Sequence, residues 1–241
     1  MNTAPALHLS GRATIGGVPI FGPLSLDAPA GEWTCLLGVS GVGKSTVLRL
    51  LGGIGDEVAL DGVAIAGDGK PLAGRVALMA QSDLLMPWLD AVANVTLGSR
   101  LRREAADRAR ARALLTRVGL ADHFGKRPHA LSGGQRQRVA LARTLMEDRP
   151  VVLLDEPFSA LDARSRAMMQ DLAAELLAGR TVLHVTHDVA EAARLGQNVR
   201  LMTHSGLATE VPPDSPIPRS FDAAETLAFQ GRLLRLLMGA G

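Results

Sequence analysis

An α/β fold built on a buried parallel sheet is predicted by three features of the sequence. Four short apolar runs each stop abruptly at residues suited to phosphate or metal, helical patterns separate those runs, and the first run opens into a glycine-rich loop followed at once by an apolar helix. Unbroken apolar runs of this length suit strands covered on both faces. Ligands of open α/β sheets bind outside the carboxyl ends of the strands, so the four ends should converge on one site.

The first run, Thr34 to Leu37, leads into Gly38-Val39-Ser40-Gly41-Val42-Gly43-Lys44-Ser45-Thr46 and then Val47-Leu48-Arg49-Leu50-Leu51. This is a complete phosphate-loop pattern in its proper setting, with a strand before and a helix after. Gly41 and Gly43 let backbone N–H groups turn inward around an anion, and the helix N-terminus adds the positive end of its dipole. Lys44 supplies a point charge for β- and γ-phosphates, and the Ser45 hydroxyl can ligate Mg²⁺. The binding set read here is Gly38, Ser40, Gly41, Gly43, Lys44, Ser45 and Thr46. Cys35, inside the same run, is expected to be a small buried strand residue.

The second run, Arg75 to Ala80, ends at Gln81. Beyond it a helical lobe is expected over about 82–148. Its opening segment, Ser82-Asp83-Leu84-Leu85-Met86-Pro87-Trp88-Leu89, with Val92, Asn94 and Val95, would suit a groove gripping a short helix of another protein. The arginines between Arg100 and Arg117 read as a solvated helix face. Leu131-Ser132-Gly133-Gly134-Gln135 has the composition of a second helix start built for close anion approach. In the helix that follows, Val139, Ala142 and Leu145 or Met146 should face inward, while Arg136, Arg138 and Arg143 face out.

The third run, Val151 to Leu154, ends in Asp155-Glu156. Asp155 is placed to hold Mg²⁺, and Glu156 to act as a general base on an attacking water, which points to hydrolysis rather than binding alone. The fourth run, Thr181 to Thr186, ends at His187, which should lie beside the Asp155 strand and reach a γ-phosphate. His184 within that run reads as a core residue; His123, His129 and His204 read as solvated. Residues 212–218 form a stiff proline-rich spacer. After it, Phe221, Ala224, Leu227, Leu234, Leu237 and Met238 give a loose helical stripe.

Composition narrows the functions. Basic and acidic side chains number 26 and 24, so nothing pulls the chain strongly toward nucleic acid. One cysteine excludes an internal disulfide and a cysteine-rich zinc site. There is no signal-peptide pattern and no run near the roughly 20 apolar residues of a membrane span, so a partner is expected to hold the chain at any membrane.

In order, the phosphate loop, Gln81, Leu131 to Gln135, Val151 to Glu156, Ser159-Ala160-Leu161-Asp162 and His187 resemble the ATPase subunit of an ATP-binding-cassette (ABC) transporter over roughly residues 7 to 210. The resemblance implies a P-loop NTPase parallel-sheet core, a small antiparallel β lobe and an inserted α-helical lobe, with an ATP-binding domain at 1–218 and a helical tail at 219–241. It implies a head-to-tail homodimer in which each ATP lies between Lys44 and Ser45 of one chain and Ser132, Gly133, Gly134 and Gln135 of the other. Ser45, Gln81 and Asp155 would hold Mg²⁺, Gln81 would sense an integral-membrane permease, and Glu156, His187 and Lys44 would carry catalysis. Ser159 to Asp162 would line the dimer seam.

Met86-Pro87-Trp88-Leu89 resembles cassettes of nitrate, sulfonate, taurine and thiamine-precursor importers, which implies an extracytoplasmic solute-binding protein and a place on the cytoplasmic face of the membrane. A soluble cassette for cofactor or iron–sulfur cluster assembly is the alternative. DNA-maintenance cassettes carry a long insertion between loop and signature, for which 88 positions leave no room. Similar proteins place an aromatic residue near Ile15-Gly16-Gly17 to stack on adenine; this chain has Ile15 there and no Tyr.

Overall fold

The computed structural model describes residues 4–55 and 57–239. The first three residues of the expected domain and the last two of the expected tail lie outside it. In chain order the elements are β1 (Leu7–Ile15), β2 (Val18–Ala28), β3 (Trp33–Gly38), α1 (Lys44–Gly52), β4 (Val58–Ala66), β5 (Val76–Met79), α2 (Ala91–Val95), α3 (Leu97–Leu101), α4 (Arg108–Arg117), α5 (Gly133–Met146), β6 (Val151–Asp155), α6 (Ala163–Leu176), β7 (Thr181–Thr186), α7 (Val189–Leu195), β8 (Asn198–Thr203), β9 (Gly206–Glu210) and α8 (Ala224–Gly239).

The central sheet has the order β5-β6-β7-β3-β8-β9, parallel except for the last pair. All four apolar runs are neighbouring strands of it. Its interior strands β3, β6 and β7 are buried at every residue, which explains runs without alternation. The period of two survives beneath the uniform burial. Trp33, Cys35, Leu37, Val152, Leu154 and Val182 pack on the helical-lobe side, whereas Leu36, Val151, Leu153, Leu183 and Val185 pack against α1 and the small antiparallel sheet β2-β1-β4. Asp90, Asp107, Asp162 and Asp188 each accept a backbone N–H at the start of α2, α4, α6 and α7. These caps are worth about 1 kcal/mol apiece and fix where each helix leaves its loop.

Three outward assignments are corrected. Arg136, Arg138 and Arg143 are half-buried: α5 is flanked by α2 and α4, and the guanidinium groups satisfy loop carbonyls that would otherwise lack donors. Arg138 donates to the Val118 carbonyl, Arg143 to those of Asp83 and Leu84, and Arg136 to the Leu131 carbonyl and the Asp83 carboxylate. Val92, Asn94 and Val95 belong to the lobe interior and not to a groove. The Asn94 amide donates to the carbonyls of Met86, Leu89 and Asp90 and accepts from Met86 N–H, pinning the loop that carries Trp88.

The tail helix docks on α7 through Thr226, Phe229 and Leu233, leaving Leu227, Leu234 and Met238 exposed. Apolar residues cover two of its faces, so periodicity alone could not choose between them. Arg219 fastens its approach, donating to the carbonyls of Ala193, Gly196 and Pro213.

Candidate active site

The phosphate loop leaves β3 at Gly38, where a Cβ would lie 2.4 Å from the Met202 carbonyl. Gly43 caps α1 at φ +104°, a left-handed conformation, with Phe21 and Ile20 crowding the space a side chain would need. Lys44 is buried and its Nζ donates to the carbonyls of Gly38 and Val39, each at 2.8 Å. Burial pulls its pKa down, opposed by the charges of Glu156 and Asp155. Ser45 Oγ donates to Asp155 Oδ1 at 3.1 Å. Burial raises the Asp155 pKa against the opposing Ser45 hydrogen bond.

Glu156 stands at φ +48°, a conformation that a residue with a side chain adopts at a cost of order 1–3 kcal/mol. Its N–H is held by the Val185 carbonyl at 2.9 Å. One carboxylate oxygen lies 2.9 Å from His187 Nδ1, and the other accepts from Gln81 Nε2 at 3.3 Å. The strained turn therefore aims the carboxylate at the ends of the neighbouring strands β5 and β7. A cleft of about 290 Å³ is lined by Ile20, Ser40, Gly41, Gly43, Lys44, Ser45, Thr46, Gln81 and Glu156, which gathers most of the expected set. Ile20, and not Ile15, is the aliphatic residue of the β1–β2 hairpin that faces this cleft; Ile15 pairs with Val18 at the turn.

The signature stretch does not line that cleft. Ser132 and Gly133 are exposed at the start of α5, away from the chain's own loop. Ser132 Oγ accepts from Gln135 N–H at 3.2 Å, and Gln135 Oε1 accepts from Ser132 N–H at 2.9 Å, a reciprocal capping box. The Gln135 side chain is thus spent on the cap, and its Nε2 lies 3.1 Å from Nε2 of His123. His123 is half-buried and not solvated as expected, because this contact draws it against α5. His129 and His204 are exposed, as expected.

Gln137 was not singled out by the sequence. It is buried, donates to the Glu156 carbonyl at 3.1 Å and accepts from Ala160 N–H at 2.9 Å. It ties the signature helix to the turn that carries Glu156. Its sequence signal was slight: a glutamine two places past Gln135, among arginines.

A second depression of about 590 Å³ runs from Ser45, Gln81 and Asp155 to Ile54 and Leu84. Leu84 is 58% and Trp88 66% exposed, whereas Leu85 is buried. Of the expected groove, Leu84 and Trp88 are its free apolar side chains. Three of the seven arginines between Arg100 and Arg117 meet acids, Arg102 with Glu104 and Glu147, Arg110 with Asp148 and Arg117 with Glu175, pairs worth little individually.

His184 is fully buried. Burial opposes its charge, but Cys35 and Glu191 hold its pKa up, to about 10. A raised histidine stabilises the fold fully below its unfolded pKa of about 6.5, and that contribution fades as pH rises through the folded value. The melting temperature should therefore fall between pH 7 and 10, and fall less steeply in His184→Leu. Parallel pH profiles for the two proteins would contradict this.

Fold and loop together define a P-loop nucleotide-binding ATPase. The sequence comparisons narrow the class: residues 21–159 match the family model for the ABC transporter, and the chain belongs to that family. It is 43% identical to the aliphatic sulfonates import ATP-binding protein SsuB of Rhodopseudomonas palustris, over 99% of this chain and 85% of that protein. Identity to the SsuB of Escherichia coli is 41%, over 92% of this chain and 86% of that one. Among solved structures it resembles a dimeric ATP-binding cassette in a post-hydrolysis state bound to ADP and Pi, with TM-score 0.74 and 28% identity, over 87% of this chain and 100% of the other. No helix among the described residues is long and apolar enough to cross a membrane.

Proposed function

We propose that this chain is the ATP-hydrolysing subunit of an importer for aliphatic sulfonates or closely similar small anions. Two copies would sandwich two ATP and drive a membrane permease fed by an extracytoplasmic solute-binding protein. The observation that carries the hydrolytic half is Glu156. A strained backbone holds its carboxylate in the same cleft as Lys44, Ser45 and Gln81. Sulfonate import is supported by relatives of that name that align with most of the chain. The same relatives favour transport over a soluble role in cluster assembly.

In this reading Lys44 exchanges its loop carbonyls for phosphate oxygens, and the Gly41 and Gly43 turns offer N–H groups to the same anion. Gln81 and His187 leave Glu156 as nucleotide enters, freeing the carboxylate to take a proton from water while His187 turns to the γ-phosphate. Ser45, Asp155 and the Gln81 amide oxygen fit Mg²⁺: hard oxygen donors stand together, with Ser45 already bonded to Asp155. When bound, that ion neutralises charge on the β- and γ-oxygens. Ser132 and Gly133, exposed and separate, would with Gly134 and Gln135 serve the partner's nucleotide, with Ser159 to Asp162 in the seam. Residues 1–218 would act as the ATPase domain, with 219–241 as a docked tail, on the cytoplasmic face of the membrane.

The test joins genetics and enzymology. Deleting the gene should abolish growth on an aliphatic sulfonate as sole sulfur source. Trp88→Ala should fail to restore growth, while the purified variant keeps ATPase activity within about twofold, because Trp88 is exposed and outside the nucleotide cleft. Equal loss of both activities in Trp88→Ala would refute the docking role. Unimpaired growth of the deletion strain would refute the sulfonate assignment.

A further inference from the structure

Behind the two loops that carry Glu156 and His187 runs a line of buried polar groups that the chemistry above does not use. His184, on β7, is fully buried. Its Nδ1 lies 3.8 Å from Cys35 Sγ on the adjacent strand β3, and its Nε2 lies 3.2 Å from Glu191 Oε2 on α7. The same Glu191 oxygen accepts the Thr186 hydroxyl at 2.9 Å, and Thr186 Oγ1 accepts the N–H of Asp188 at 3.0 Å. Thr186 and Asp188 flank His187. Arg166 reaches across with Nη1 3.3 Å from Asp188 and Nε 3.9 Å from Glu191.

The other side of the imidazole faces the second loop. The Phe158 ring stands edge-on to it, with centroids 5.7 Å apart and planes at 89°, and Phe158 lies two residues beyond Glu156. A small cavity of about 140 Å³ separates the two loops, lined by Glu156, Ser159, Arg166, Thr186, His187 and Glu191 among others. Displacement of either loop would open or close this gap and change the meeting of His187 Nδ1 with the Glu156 carboxylate, now 2.9 Å.

Stability alone does not account for a buried ion pair, since well-packed apolar replacements are often as stable or more so. Direction does. Trp33, Phe158 and Val182 surround His184 on an otherwise apolar sheet face, and an apolar side chain there would leave Glu191 free to turn. Paired at 3.2 Å with His184 and hydrogen-bonded by the Thr186 hydroxyl, the carboxylate fixes the angle at which β7 hands over to α7. We propose that His184 and Glu191 form a buried positioning pair that sets the turn carrying His187. The proposal rests on the roles given above to His187 and Glu156.

The experiment is steady-state hydrolysis of ATP by the full chain carrying His184→Leu, Glu191→Gln or Thr186→Val, alone and in the His187→Ala background. Each single variant should lose about tenfold in kcat with KM for ATP within about twofold, because a misplaced turn affects the reacting geometry more than nucleotide capture. In the His187→Ala background, His184→Leu should add less than about twofold, since residues acting through one another are not additive. Where His184→Leu fails to fold, Thr186→Val and Glu191→Gln decide the question in the same way. Parental kcat in the folded variants, or an undiminished effect in the His187→Ala background, would overturn the positioning pair. A His187→Ala chain with parental kcat would instead overturn the role of His187, and the positioning proposal with it. An impaired His187→Ala beside intact His184→Leu and Thr186→Val would overturn the positioning pair alone.

Discussion

Glu156→Gln should yield a chain that dimerises with ATP and hydrolyses it about 10²- to 10⁴-fold more slowly than the parent, the range expected for loss of a general base. The substitution keeps the shape of the side chain and its reach into the cleft but removes the proton acceptor. Nucleotide capture should persist, because Lys44, Ser45 and the loop N–H groups are untouched. With chemistry stopped, the closed dimer should accumulate, visible by light scattering only when ATP is present. ADP should not substitute for ATP, since the γ-phosphate would be needed to engage both halves. A variant that stays monomeric with ATP would refute the shared site; one that hydrolyses at the parental rate would refute the base.

The strand ends were legible because their chemistry is local. Gly38, Gln81, Asp155-Glu156 and His187 each follow an apolar run, and parallel pairing of those runs brings them together whatever the rest of the chain does. The position of Ser132 as a helix cap was equally plain, since capping depends on residues within one turn. What the sequence does not display depends on contacts far apart along the chain. Gln137 looked like one polar residue of a basic helix, yet it holds the Glu156 turn from 19 positions away. Arg136 and Arg143 looked solvated because nothing nearby revealed that Asp83 and Leu84 would fold over α5. The tail offered two apolar faces, and only α7 selects between them. Ile20 rather than Ile15 lines the cleft because Ile15 pairs with Val18 out at the hairpin tip, beside Gly16 and Gly17 at positive φ, whereas Ile20 stands two residues further along β2.

Mixed dimers test the shared site most directly. Gly133 is exposed, and a Cβ built on it would meet only Arg136 Nη2, at 3.8 Å, so Gly133→Asp has room to fold. An acid in the first turn of α5 even suits the helix dipole. The same charge would repel a triphosphate presented by the partner, and ATPase activity should fall by about 100-fold or more. Lys44→Ala should be similarly impaired from the other side of the site. Each homodimer would then carry two broken sites. Mixing the variants after dissociation should restore activity, because a mixed dimer pairs one unaltered phosphate loop with one unaltered signature. Half the dimers would be mixed and half their sites intact, so recovery should approach about one quarter of the parental rate when the two sites act independently. Coupling between the sites would lower that figure without abolishing it. A chain carrying both changes, mixed with the parent, places one fault in each site of a mixed dimer and should leave only the parental homodimers active. If signature and loop instead served the same chain, the first mixture would stay dead and the second would keep one good site per mixed dimer. The mixed dimers of the two mixtures therefore exchange outcomes between the models, provided circular dichroism and light scattering show that each variant folds and pairs.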